Sequence, residues 1–303
     1  MPGVFPRKKM ALMIPLQSRY CKRLVIAIAA LWVLSLSGCA KRYHVPGMIT
    51  SIQPEMHTIV VSHRAIPGYM EAMEMPFLVK RGELPSGVAP GAQVEFDLAI
   101  RKGTAQAERV RLASGSVQGI VQDRALAVKL LRSAERLSDG DVVPDFELVN
   151  QRGQAVRLSD FHGRVVLVNF IYTRCPLPEV CPRLAASFAV VQRRFREQMG
   201  KELVMMSITL DPKHDTSEVL EQYGKARGAD PGAWFFLTGS EDEIKKVAER
   251  FGLAYWSEDG FLAHTSLTCV IGRDGRMDAR VNGSVYEVQQ LGDLIARQLE
   301  TVR

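Results

Sequence analysis

"RVVLVNFIYTRCPLPEVCPR", residues 164–183, decides how this chain folds. Val165 to Ile171 is an almost unbroken apolar run, as expected of a strand covered on both faces of a sheet. It ends in a loop where Cys175 and Cys181 stand six positions apart among Pro176, Pro178 and Pro182. That spacing is compatible with a disulfide, a redox pair of altered spacing, a metal site or two core thiols. Helical sequence follows Cys181, so the loop sits where a central strand feeds a helix. Ligand chemistry concentrates at that place in open α/β sheets, and a helix N-terminus lowers the pKa of a nearby thiol.

Strands and helices alternate around this stretch. "FELVNQRGQAVRL" reads as a hairpin, and "KELVMMSITL" and "WFFLTG" as further strands. "TSEVLEQYGKARG" is a helix capped by Thr216. "SEDEIKKVAERFG" opens with Ser240 and Glu243 at capping-box spacing. "HTSLTCVIG" and "MDARVNG" are late strands, and "YEVQQLGDLIARQL" closes the chain as a helix. An α/β domain around a mixed sheet is therefore expected over 141–303. Residues 39–115 read differently: about five short strands broken by Gly and Pro, "MITSIQPEMHTIVVSH" among them, predict a small all-β, OB-like barrel. "VQDRALAVKLLRSAERL" has helical spacing and no Pro or Gly, so 116–140 is expected to be a connector helix.

The chain opens with six basic residues, no acid, and an apolar run from Leu24 to Leu36 that ends "LSGC". This is the pattern of a lipoprotein signal over 1–38, with lipid attached at Cys39. A lipid-anchored protein at the periplasmic face of the cell envelope is expected. The formal charge of +6 resides wholly in that segment. The remainder is balanced, which removes the electrostatic case for nucleic-acid binding. In an oxidising compartment Cys175, Cys181 and Cys269 remain. Cys269 lies in an apolar strand and reads as an inert core thiol. The one pair left is too little to staple a fold and points to chemistry.

"VPDFELVNQRGQAVRLSDFHGRVVLVNFIYTRCP", residues 143–176, resembles the opening of a thioredoxin-like domain. Together with "LDPKHDT" (210–216) and "HTS" (264–266), it resembles the Sco/SenC family of copper-binding assembly proteins over about 141–301. The resemblance implies copper held by Cys175, Cys181 and His264, and two thiolates with an imidazole suit Cu(I) or Cu(II). It also implies the copper-site subunit of a cytochrome oxidase, or another apo-cuproprotein, as partner. Asp211 is expected to support the site from behind, Asp215 to shape the loop or start a helix, and His162 and His214 to be surface residues. The family's loop has three residues between its cysteines, whereas this one has five, "PLPEV".

Methionine marks the other end of the chain. In "HRAIPGYMEAMEMPF", residues 63–77, Met73 and Met75 share a strand face, Met70 lies just before them, and His63 ends the preceding strand. Imidazole with thioethers makes a soft, uncharged site suited to Cu(I) or Ag(I). Methionines facing into a small barrel are also ordinary core filling, and the residues alone leave both accounts open. The stretch resembles the CusF-type copper-binding barrel over about 43–113, which implies His63, Met73 and Met75 as ligands. That family's tryptophan is absent, Met70 stands in its place, and the His-to-Met spacing is one residue shorter.

A membrane-anchored copper chaperone is the expected function. The alternatives are a thiol–disulfide oxidoreductase using Cys175 and Cys181 on a recipient's cysteines, and copper sequestration for tolerance.

Overall fold

The computed structural model describes residues 41–80, 84–86, 88–101, 104–113, 137–258 and 261–301. The expected leader, Cys39 and nearly all of the expected connector lie outside them. Five strands close a barrel: β1 (Lys41–Gln53), β2 (Thr58–His63), β3 (Met73–Val79), β4 (Gln93–Arg101) and β5 (Thr104–Leu112). Their order is β1-β2-β3-β5-β4, with only the β3–β5 pair parallel among the pairings described. Alternate residues face inward, so Ile49, Ile59, Val61, Phe77, Phe96, Leu98 and Ala107 fill the interior.

The rest is a thioredoxin-like sandwich. Strands β6 (Glu147–Asn150), β7 (Ala155–Arg157) and β8 (Val165–Ile171) precede helix α1 (Cys181–Arg194). Then come β9 (Leu203–Thr209), α2 (Ser217–Lys225), β10 (Trp234–Thr238) and α3 (Glu241–Arg250). A two-stranded ribbon, β11 (Tyr255–Glu258) and β12 (Phe261–His264), leads to β13 (Leu267–Ile271), β14 (Met277–Asn282) and α4 (Val288–Glu300). The seven-stranded sheet runs β14-β13-β8-β9-β10-β6-β7, with β8, β9 and β10 parallel. On β8, Val165, Leu167 and Ile171 face α1 and α4, while Val166, Val168 and Phe170 face α3. Burial on both faces is why the strand carries no alternation of polar and apolar residues.

Arg42 to Arg303 form one compact unit. Every residue of β2 is buried, because its inner face fills the barrel and its outer face meets α4. Ser62 Oγ donates to Asp293 Oδ2 at 2.6 Å, and Gln290 Nε2 donates to the Ser62 carbonyl at 3.0 Å. Arg297 reaches Glu74 at 2.9 Å, and Met48 of β1 is buried in the same cluster as Leu291, Leu294 and Ile295. On the neighbouring edge Gly91, with φ +88°, lies directly against the Arg280 carbonyl of β14. A Cβ there meets both the left-handed penalty and a backbone oxygen that cannot retreat. Gly91→Ala is therefore expected to cost about 3 kcal/mol of stability, read as a lowered Tm, while Gly140→Ala, which has open space around it, costs only the backbone strain.

Candidate metal centres

The cysteine loop is tied down at both ends. After β8, Asp215, fully buried, accepts from Thr173 N–H at 3.0 Å, from Thr173 Oγ1 at 2.5 Å and from Thr209 Oγ1 at 2.5 Å. Arg174 Nε donates to Asp211 Oδ2 at 2.7 Å. At the far end Ser284 Oγ donates to the Glu179 carbonyl at 2.6 Å, and Cys181 then opens α1 with Pro182 in the first turn. Pro is accommodated there because that turn's N–H has no helical partner to lose.

His264 ends the β11–β12 ribbon and is buried beside Cys181, with Nε2 3.5 Å from its Sγ. Its Nδ1–H donates to the Thr265 carbonyl at 3.0 Å, which orients the ring with Nε2 towards the sulfur. The Tyr172 ring stands edge-to-face with the imidazole at 5.9 Å. Cys175 is half-buried at the rim, and Cys181 is fully buried. No disulfide joins them.

The two thiols share one proton. Cys175 is pushed down to about 4, first because the Cys181 S–H donates to it, then, against the opposing effect of burial, through His264 and the Cys181 backbone N–H. Cys181 is pushed far up as the donor in that bond and by its burial. Tyr172 is raised mainly by burial, with the charge on Cys175 adding to it. A thiolate, a thiol and an imidazole thus converge, a soft donor set. Among the described residues no three His, Cys, Asp or Glu side chains already enclose one point at metal-binding distances. The fit is nevertheless close at the fixed pair. Metal bonds of about 2.3 Å to sulfur and about 2.0 Å to nitrogen hold the two atoms roughly 3.5 Å apart, which is the Cys181–His264 separation already present.

In the barrel, register places His63 directly opposite Met73 and Val61 opposite Met75, in the same alternation as the inward-facing Phe77. His63 is buried and its Nδ1–H donates to the Arg64 carbonyl at 2.7 Å. Its Nε2 is buried with no hydrogen-bond partner. An orphaned imidazole nitrogen beside thioether sulfurs fits a soft cation and is costly to leave empty. Gly47 lies opposite His63 on β1, where a Cβ would crowd Val61 and the Ser62 carbonyl. Met73 is 44% exposed, and Met75 and Met70 are half-buried against the barrel core. Met70 pairs with Ile66 in the loop before β3.

Asp211 pairs with Arg174 in the loop, and Asp215 shapes that loop as its buried staple and does not start a helix. Thr216 caps α2 in its stead. Thr173, Thr209 and Ser284 were not legible as site residues. The available signal was a threonine just after one strand, Thr173, and another ending the next, Thr209, with an acid close behind it. Cys269 is buried on β13 within the α3-facing core.

Fold and site together define a thioredoxin-like protein that brings a cysteine pair beside a buried histidine, joined to a small barrel. The SCO1/SenC family model matches residues 134–300, and the chain belongs to that family. Residues 42–112 match the model of the copper binding periplasmic protein CusF. Copper is the metal of both families. The SCO2-like protein RT0576 of Rickettsia typhi is 31% identical over 139 residues, 43% of this chain and 65% of the relative. The Bacillus subtilis SCO1 homolog is 28% identical over 46% of this chain and 74% of its own length. The chain thus spans just under two thirds of the Rickettsia relative it matches. Among solved structures, Arabidopsis thaliana ScoI with copper bound shows 25% identity and a TM-score of 0.46, covering 52% of this chain and 98% of the other.

Proposed function

We propose that this chain is a copper chaperone of the cell envelope, anchored by lipid at Cys39, with one copper site in each half. Cys175, Cys181 and His264 would hold copper in the thioredoxin-like half. His63, Met73 and Met75 would hold Cu(I) in the barrel, with Met70 closing from the loop. The observation that carries the reading is the pair of buried imidazoles. Each is fixed by an Nδ1–H bond to the next residue's carbonyl; His264 Nε2 lies against the Cys181 sulfur, and His63 Nε2 is buried without a hydrogen-bond partner on a strand paired with Met73 and Met75. Copper is the cargo, and the copper-site subunit of a respiratory oxidase, or another apo-cuproprotein, is the proposed recipient. Delivery requires no redox step in this protein. A recipient thiolate displaces Cys175, the more exposed ligand, and then Cys181, which regains its proton as it is released. Among the described residues no helix is long and apolar enough to cross a membrane.

A thiol–disulfide oxidoreductase is favoured by one observation, the thiolate character of Cys175 beside a protonated partner. The two readings separate in one experiment. Cu(I) is titrated against a competing chelator into the wild type, Cys175→Ser/Cys181→Ser and Met73→Leu/Met75→Leu, and disulfide exchange is assayed in parallel. Two coppers, one lost with each double variant, is the expected result. Brisk exchange without submicromolar copper binding would establish the reductase instead.

A further inference from the structure

The two candidate sites lean on the same short piece of chain. The segment from Ser284 to Gln290 joins β14 to the first turn of α4. At one end Ser284, itself buried, holds the Glu179 carbonyl two residues before Cys181. In the middle Tyr286 is fully buried, with its hydroxyl against Thr268 of β13 and Ser187 of α1, the helix that Cys181 begins. At the other end both neighbours of His63 are gripped. Gln290 Nε2 donates to the Ser62 carbonyl, and Arg64 pairs with Glu287 at 3.3 Å.

Gln290 has a second task. Its Oε1 accepts from the Glu287 N–H at 3.2 Å, closing the capping box that starts α4. The contact that fixes the strand before His63 is therefore the same side chain that fixes the end of the segment. Nothing in this segment bears a proposed ligand. The Arg64–Glu287 pair is half-exposed and adds little, whereas the Gln290–Ser62 and Ser62–Asp293 bonds are buried and rigid.

We infer that Ser284–Gln290 couples the two sites, so that a soft cation held at His63 strengthens Cu(I) binding by Cys175, Cys181 and His264, and the reverse. The inference rests on the copper reading above. Its physical basis is shared ordering. Metal at His63 immobilises the end of β2, which immobilises the first turn of α4 through Gln290. The Cys181 end of the loop, held by Ser284, then has less freedom to lose when it takes copper. Thermodynamic linkage makes the effect equal in both directions. Ser284 and Gln290 act here as positioning residues.

A double cycle on the full chain tests it. Cu(I) affinity of the cysteine site is measured by chelator competition in the wild type and in Met73→Leu/Met75→Leu, then in the same pair carrying Ser284→Ala. The expected result is a cysteine site at least about fivefold tighter with the barrel loaded, the ratio falling towards one when Ser284 is replaced. Gln290→Leu cuts the other end and is expected to give the same collapse, which guards against misfolding of either variant. Melting curves and one-site copper loading identify a variant that has merely lost its fold. Two bound coppers with no affinity ratio in the wild type overturn the coupling alone, as does a ratio that survives both substitutions. A wild-type stoichiometry below two overturns the copper reading and the coupling with it.

Discussion

Alkylation of Cys175 by iodoacetamide is expected to proceed at almost the same rate at pH 5 as at pH 8. An unperturbed thiol, with a pKa near 8.5, loses roughly 750-fold of its thiolate over that interval. Cys175 sits at about 4, because the Cys181 S–H donates to it. It is therefore ionised throughout, and its rate should change by less than about twofold before dropping as the pH falls through 4. The sign follows from the direction of the shift: a depressed pKa keeps the charged form above it and loses it below. Cys181, fully buried and pushed up, should stay unmodified across the same range. Removing the donor with Cys181→Ala should return Cys175 to the ordinary steep profile. Rates for the two proteins measured at four or five pH values check this. A wild-type rate that climbs tenfold per pH unit would show that the proton is not shared as described. The wild type should not gain much absolute speed at neutral pH, since nucleophilicity falls as the pKa falls.

Asp215→Ala is expected to be the most damaging single change near the cysteine loop that touches no cysteine. The carboxyl, itself fully buried, accepts three hydrogen bonds, one from the buried Thr209 hydroxyl and two from the half-buried Thr173. Truncation strands the Thr173 N–H and the two threonine hydroxyls, at about 3 kcal/mol in all. For a unit of this size that is roughly 6–12 °C of Tm. Asp211→Ala makes a useful contrast. Its partner Arg174 is 59% exposed, so the lost ion pair should cost under about 1 kcal/mol. Differential scanning of the two variants beside the wild type reads the difference. If Asp211→Ala proved the more harmful, the weight given to the buried staple would be wrong.

Much of this architecture was legible in the chain. Val165 to Ile171 could only be a strand covered on both faces, and its layers are those that form. Thr216, Ser240 and Glu243 cap helices as their side chains dictate. The small barrel follows from short runs punctuated by Gly and Pro. Other elements left no such trace. The β11–β12 ribbon is four residues a side, too short for a period to register, and its end delivers His264 to Cys181. Asp215 reads in sequence equally as a loop-shaping or a helix-start residue, because what makes it a staple is Thr209 at the end of another strand. The docking of barrel on α4 was half visible. "TIVVSH" is apolar at Val60 and small at Ser62, positions that point out of the barrel, so some cover was implied. Nothing in that strand names α4 as the cover, since Gln290 and Asp293 are polar residues on a helix that would otherwise face water.

The two imidazoles carry a further consequence. Each commits its Nδ1–H to a neighbouring carbonyl, so Nε2 is the ring atom left to meet a metal. On the proposed ligand sets, the barrel's thioethers have no proton to give up when they are loaded. Loading the cysteine pair releases one proton, the one Cys181 holds. Acidification of the surroundings thus pulls against one half of the protein and not, through its sulfurs, against the other. A falling pH moves the balance of cargo towards the methionines, and neutral conditions return it to the cysteines.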